Sequence, residues 1–557
     1  MKKPKVIQRN TTIVSTILFI MIIVSLTVFR VWLIKNRELV AITPSPHDMQ
    51  LYITNAESIA NGNWLGPYNE RIITRGPVFP LFIAITYLLH IPLTIAQTLL
   101  YCAAAFLFLG CAIPLVKKKW ILIPLYTLIL FNPFMIDHET FFELTRSALY
   151  PALSMAVAMS CFGLVTSVHT AYKKSVFYTC SLGIFFFLFW YYREEGFFLL
   201  PLIGVCYGYS LWITWKQKKV SKKYVIALII PILIFLGGTH IVSSVNKKTY
   251  GIYTAREFSY PSYTKAFSAL LRIQPEEHNP LISLPKSTRQ ILYVVSPTFA
   301  KLRSFFEGEG GYDWARNSVV WTGIPPEEHE LAGGAFHFAL RDAIWRITRP
   351  SQKNEQLLFE KLTKEINAAC KAKYISCGLL PISGFTLFNQ EDREHFYNQF
   401  VNTIQTGVLA DNLDLSTTPK YSHGPENQIA LFKKMTRGII LTDNQRPPYQ
   451  SSLVPFTNTY IQYWYQQFMP IIFLLSYVYF LIRLFKQQKL TFTDWFQASL
   501  LLCSLLFYGV VAFFGTIKSP TNTTASSYTS GAYALLLLFV CLEILTLQTK
   551  PTVKHRK

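Results

Sequence analysis

The chain has 557 residues, 51% hydrophobic and 15% charged, with a mean hydropathy of +0.28. Those values exclude an ordinary water-soluble domain and describe a polytopic membrane protein with some soluble mass. Its 53 Lys and Arg against 31 Asp and Glu leave a formal charge of +22, an excess whose meaning depends on where the charges lie.

The basic opening "MKKPKVIQRN" precedes "TTIVSTILFIMIIVSLTVFRVWLI", an apolar run long enough to cross ~30 Å of hydrocarbon. No small-residue cleavage site follows it, so a retained anchor with a cytoplasmic N-terminus is expected. Further spans are expected near 92–115, 120–136, 148–168, 175–192, 196–214, 223–243, 466–484, 492–515 and 528–547. With the first they make about ten.

Counted through those spans, one side receives Lys2, Lys3, Lys5, Arg9, Lys117 to Lys119, Lys173, Lys174, Lys216 through Lys223, Arg483, Lys486, Lys489 and the tail "KPTVKHRK". The short loops of the other side carry only Lys35, Arg37, Arg71, Arg75, Arg146, Arg193 and Lys518. The positive-inside rule then places both termini in the cytoplasm, in the cell (cytoplasmic) membrane. The stretch "GPVFPLFIAITYLLH" (76–90) cannot be a span, because counting it would send every later Lys cluster outward. It is short and is expected as an interfacial helix on the outer leaflet.

Segment 244–465 is more polar and holds 24 basic and 20 acidic residues. It is expected as a separate extracytoplasmic soluble domain between the seventh and eighth spans, dividing the chain into 1–243, 244–465 and 466–557. Its near-neutral balance argues against nucleic acid. Of the nine cysteines, seven lie in spans as small apolar packers, while Cys370 and Cys377 stand alone in the outer segment. In an oxidising compartment these two are expected to form a disulfide, and they lack partners for a four-ligand zinc site.

This topology puts three polar clusters on one face. They are His47-Asp48 with Arg71 and Arg75 in loop 35–91, "DHETFFELTR" in loop 137–147, and "REEG" in loop 193–196. Ionisable groups at a membrane edge are costly unless paired or hydrated, so their gathering marks a candidate site. Carboxylates beside arginines suit a reaction that binds a phosphate and deprotonates a hydroxyl. Sugar transfer from a lipid-linked phosphate has both needs.

The order of features resembles the integral-membrane GT-C glycosyltransferases, the superfamily that includes protein O-mannosyltransferases and the aminoarabinose transferases of lipid A. The resemblance covers roughly 10–215 and rests on Asp48, Ala56, Gly62, Trp64, Tyr68, "TRGPVFPLFIA", an acid in the next loop at Asp137 or Glu139, and "YYREEGFFLLPL". The chain departs from the family in having His47-Asp48 where two adjacent acids are frequent, and Arg75 where many members have Lys. The resemblance implies an α-helical GT-C-like polytopic membrane protein. It further implies a polyprenyl-phosphate sugar donor, an envelope acceptor and, for direct displacement, an inverted product.

Within that reading Asp48 is the expected general base, and capping the following helix is its plainer role. Arg75, Arg193 and Arg146 are expected donor-phosphate ligands, against snorkelling or local ion pairs; Arg71 is a weaker candidate. Asp137 and Glu139 have a spacing that could orient the acceptor or hold a divalent cation, Mg or Mn. Trp64, Tyr68 and His47 are candidate sugar contacts, although aromatics also populate membrane interfaces. His278 and "EEHE" (327–330) lack helical His-x-x-x-His spacing and read as surface loop, and "GEGG" (308–311) reads as a turn. A lipid-linked-glycan transporter and a non-catalytic assembly protein are the rival functions.

Overall fold

The computed structural model describes residues 5–43, 48–167, 172–217, 222–275, 278–348, 351–378, 390–442, 445, 453–487, 489–518 and 526–548. Among these the structure is helical, joined by turns and isolated β-bridges. The first half comprises α1 (Lys5–Lys35), α2 (Asp48–Ala60), α3 (Val78–Leu88), α4 (Leu93–Ala112), α5 (Leu122–Leu130), α6 (Tyr150–Ser167), α7 (Tyr172–Tyr192), α8 (Leu200–Gln217) and α9 (Lys222–Tyr250). Next come α10 (Pro261–Leu271), α11 (Lys286–Val295), α12 (Pro297–Ala300), α13 (Arg303–Phe306), α14 (Glu309–Thr322), α15 (Ala335–Thr348), α16 (Gln352–Lys371), α17 (Gln390–Leu409) and α18 (Glu426–Thr436). The long helices α19 (Leu453–Lys486), α20 (Phe492–Lys518) and α21 (Ser526–Gln548) complete the bundle.

Among the described residues nine helices are long and apolar enough to cross a bilayer: α1, α4, α6, α7, the run from Gly196 through α8, α9, α19, α20 and α21. The protein is therefore a multi-pass membrane protein. Helix α6 is buried almost all round, whereas α1, α9 and α19 turn most of their apolar surface outward. Such continuous apolar faces are stable only against lipid or a partner.

The expected span at 120–136 is not one continuous helix. Helix α5 ends at Leu130, and Asn132 then caps a 3₁₀ turn over Pro133–Met135 by accepting from the Phe134 N–H. Proline disfavours helical geometry in the residue before it, which breaks the helix there. The segment still runs the length of α1. Trp120 Nε1 donates to Ser15 Oγ at 3.2 Å, and Arg30 near the other end of α1 donates to the Met135 carbonyl. Those two points are ~22 Å apart along a helix, so this stretch lies beside α1 as a short helix and a turn. Helix α3, with 11 residues, is too short to cross and packs against α2, α4, α7 and α18.

Segment 244–465 is not one separate domain, as the sequence had suggested. Helices α10 to α16 surround a core of their own containing Tyr263, Phe299, Phe306, Phe336, Leu340, Phe359 and Leu362. The Cys370–Cys377 disulfide ties the end of α16 to the next strand-like residues, where Cys377 bridges Ile273. Beyond that point Ala410, Leu413, Ile429, Phe432, Met435 and Ile440 join the core of the membrane bundle. Helix α17 lies along α20, with Gly407 against the Tyr508 ring, where a Cβ would collide, and Gln399 beside Gly515. Its buried face, Asp392, Gln399, Thr403 and Thr406, recurs at helical spacing but is polar, so hydropathy conceals the insertion. The chain after α1 is held to this second part by Leu39 N–H to the Ile439 carbonyl (2.7 Å) and Thr43 N–H to the His423 carbonyl (2.7 Å).

At the opposite, lysine-rich end, Arg483 of α19 pairs with Asp494 of α20 and, at 2.8 Å, with Glu543 of α21, both carboxylates being buried. Asp494 also accepts from the Thr491 N–H at 2.7 Å, capping α20. Arg483→Ala strands two buried carboxylates, a loss of ~3–5 kcal/mol. Thermal unfolding of the detergent-solubilised protein should show a correspondingly large drop; an unchanged midpoint would mean the cluster is hydrated and does not join the three helices.

Candidate functional site

Asp48 opens α2, where a carboxylate is favoured by the helix dipole. Its Oδ2 receives Arg75 at 3.2 Å, Arg146 at 3.6 Å and the hydroxyl of Tyr52, one turn on, at 3.0 Å. Two of the expected polar loops therefore meet on one carboxylate oxygen.

The third loop joins through α7. Gly76 lies directly against the Tyr191 carbonyl, where any Cβ would collide, so the Arg-Gly-Pro step brings Arg75 to the end of α7. Arg146 donates from Nη1 to the Tyr192 carbonyl at 3.5 Å. Arg193 follows immediately, 4% exposed, its guanidinium 4.7 Å from the Tyr150 ring centre and 5.3 Å from that of Tyr528. Desolvated guanidinium groups over aromatic faces gain from the ring quadrupole. Asp48 thus pairs with two guanidinium groups, and a third, Arg193, lies on the Tyr150 and Tyr528 rings.

Segment 244–465 covers this array with aromatic residues that sequence reasoning missed. Arg75 lies 5.2 Å from the Phe338 ring centre, Phe338 stacks on Trp314 at 6.0 Å, and Arg71 covers Trp314 at 5.6 Å. "GGAFHFALRD" and "GGYDWARN" carry no motif that singles out Phe338 or Trp314. Tyr52 was legible, since a residue four positions after Asp48 shares its helix face. Arg71 pairs with neighbouring Glu70 at 3.7 Å.

Several expectations change. Asp137 is fully buried, capping the π-turn His138–Phe142. Its Oδ2 accepts from the Thr140 N–H (3.0 Å) and hydroxyl (2.9 Å), and its Oδ1 from the Asp414 N–H (3.0 Å). Glu139 instead accepts from the Ser527 hydroxyl at 2.8 Å. Both oxygens of Asp137 thus accept hydrogen bonds, and Glu139 is tied to another element. Among the described residues no three His, Cys, Asp or Glu come together as a metal site.

Trp64 and Tyr68, expected to contact sugar, brace the first loop. Trp64 Nε1 donates to Asn246 Oδ1 at 2.8 Å. Tyr68 donates to Glu355 at 2.6 Å and accepts from Arg341, which also pairs with Glu257 at 2.6 Å and Glu355 at 3.3 Å. His47 lies outside the described residues, as do the side chains of Glu194 and Glu195. His278 bonds Asp392 at 2.6 Å, and Glu330 of "EEHE" pairs with Arg289 at 3.5 Å; both are structural ties. "GEGG" turns into the start of α14.

Burial pushes the Glu355 carboxyl up to about 7, with Arg341 opposing and the like charge of Glu257 adding. A raised carboxyl makes the folded state bind the extra proton. Stability is then fully present below the ordinary Glu value of ~4.3 and is lost as pH rises through about 7. Thermal midpoints measured across that window should fall with pH in the wild type and run flat in Glu355→Gln. Identical slopes would remove Glu355 as the titrating group.

No family model matches the chain, and no curated protein matches it. Two solved structures of ArnT from Cupriavidus metallidurans are similar to it, each with a TM-score of 0.30. The apo form is 11% identical and covers 95% of this chain and 77% of its own. The form bound to undecaprenyl phosphate is 12% identical and covers 96% and 77%. A likeness at that level carries no argument about activity.

Proposed function

We propose that the protein is a GT-C-type membrane glycosyltransferase that moves a sugar from a polyprenyl-phosphate donor to a cell-envelope acceptor at the outer face of the cytoplasmic membrane. The observation that carries this reading is the convergence of Asp48 with Arg75 and Arg146, beside Arg193, at one end of the bundle. The residue resemblance around "TRGP" and "YYREEG" agrees with it.

Arg75 and Arg146 pair with Asp48. A donor phosphate competes for the same two guanidinium groups, and Arg193 adds a third. Phosphate binding thereby releases the carboxylate from its ion pairs. Asp48 then takes the proton of the acceptor hydroxyl as its oxygen attacks the anomeric carbon. The bond from that carbon to the phosphate oxygen breaks, and its electron pair leaves with the lipid phosphate, whose growing charge the arginines neutralise. Direct displacement inverts the anomeric configuration.

A second reading, transport of a lipid-linked glycan, is favoured by one observation. Arg30 is wholly buried in α1, and its Nε and Nη1 have no hydrogen-bond partner. Intramembrane charges of that kind also mark transport paths.

Radiolabelled sugar transfer from mixed polyprenyl-phosphate donors to envelope extract should be seen with the wild type. Asp48→Asn, folded and membrane-inserted, should lower kcat by ~10²–10⁴, and the product should be inverted. Equal transfer by both forms would remove Asp48 from catalysis. Transfer by neither, with competent donors and acceptors present, would favour transport.

A further inference from the structure

We infer that Lys518, Trp321 and Tyr528 form a lateral entry by which an isoprenoid lipid phosphate passes from the bilayer to Arg193; this rests on the lipid-phosphate reading of the site. Asp494, which joins the charged cluster at the lysine-rich end, and Lys518 bound most of α20. Those 24 positions span ~36 Å of helix, so Lys518 lies just past ~30 Å of hydrocarbon, at the level of the opposite headgroups. It is the last residue of α20 and only half-buried.

The ammonium of Lys518 sits 4.4 Å from the ring centre of Trp321 in α14 and 5.6 Å from that of Tyr528 in α21. The Tyr528 ring also carries Arg193, at 5.3 Å. One aromatic side chain thus has a half-buried cation at the bundle edge and a buried cation at the site. Beside Tyr528, Ser527 is anchored to Glu139 at 2.8 Å, which fixes the start of α21. Val320, next to Trp321, is 83% exposed.

These features match a ligand with an apolar chain and an anionic head. Val320 and Trp321 offer apolar and amphipathic surface where chain meets headgroup, as aromatics do at membrane interfaces. Lys518 attracts a phosphate as a mobile point charge. Arg193 then binds it with a planar array of donors. An ion that meets a weakly held cation first and a desolvated one second is drawn inward without crossing apolar surface. A soluble sugar nucleotide would need no cation at headgroup level.

The test is binding of undecaprenyl phosphate to the full chain in lipid nanodiscs, with Lys518→Met and Trp321→Ala compared with wild type. Each variant should keep the wild-type thermal midpoint. Lys518→Met should slow association of the lipid about five- to tenfold, with transfer from a short-chain, water-soluble donor unchanged. Trp321→Ala should act in the same direction. A wild-type association rate that neither variant alters would overturn the entry and leave the proposed site standing. No wild-type binding would overturn the lipid-phosphate reading itself. Equal capture of phosphatidic acid, with the same dependence on Lys518, would reduce the residue to a bulk-lipid contact and also overturn the entry.

Discussion

One carboxylate oxygen organises the site-bearing end of this protein. Asp48 Oδ2 is met by guanidinium groups from two loops, Arg75 and Arg146, and by a hydroxyl from its own helix. Two arginines brought together at a membrane edge repel each other and lose hydration, so a shared anion is what lets the loops close together. The constraint reaches further through Gly76. Only a residue without a Cβ can lie on the Tyr191 carbonyl, and that contact fixes Arg75 beside the start of the Arg193 loop. In the proposed reaction, the same electrostatics that assemble the loops prepare an anion site whose native occupant a phosphate can displace.

Segment 244–465 supports this end from two directions. Helices α10 to α16 form a cored unit whose aromatics, Phe338 and Trp314, cover Arg75 and Arg71. The first loop is fastened to that unit by Tyr68, which sits between Arg341 and Glu355. Segment 390–442 instead joins the membrane core and supplies the backbone N–H of Asp414 to Asp137. The outer segment is thus both a lid of aromatic residues and a wedge within the bundle. Because Tyr68 lies between Gly66 and Arg71 in the same loop as Arg75, changes in the buried Arg341 network bear directly on the site.

Long apolar runs and the lysine asymmetry disclosed the spans, since hydrocarbon thickness and charge placement are one-dimensional constraints. The same topology put Asp48, Arg75, Arg146 and Arg193 on one face; the structure pairs Asp48 with Arg75 and Arg146 and sets Arg193 on the Tyr150 and Tyr528 rings. Other features were illegible for physical reasons. Asp137 as a cap and Asp137 as a ligand look alike in sequence, because both uses require an acid before a turn. The stretch broken at Asn132-Pro133 has the hydropathy of a span without its geometry. Helix α17 buries Gln399, Thr403 and Thr406, so composition assigned it to water. Phe338 and Trp314 reach the arginines only through tertiary packing. Trp64 and Tyr68 were expected as sugar contacts, and their polar atoms are committed to Asn246, Glu355 and Arg341.

The central claim is that Asp48 and a lipid phosphate compete for Arg75 and Arg146. The most direct measurement is the affinity of undecaprenyl phosphate for wild type and Asp48→Asn in nanodiscs at fixed ionic strength. Removing the competing charge while keeping the side chain's shape should tighten binding, about threefold to tenfold for one weakened ion pair. Unchanged or weaker binding by a correctly folded Asp48→Asn would contradict the claim. The arginines would then hold Asp48 for structural reasons alone.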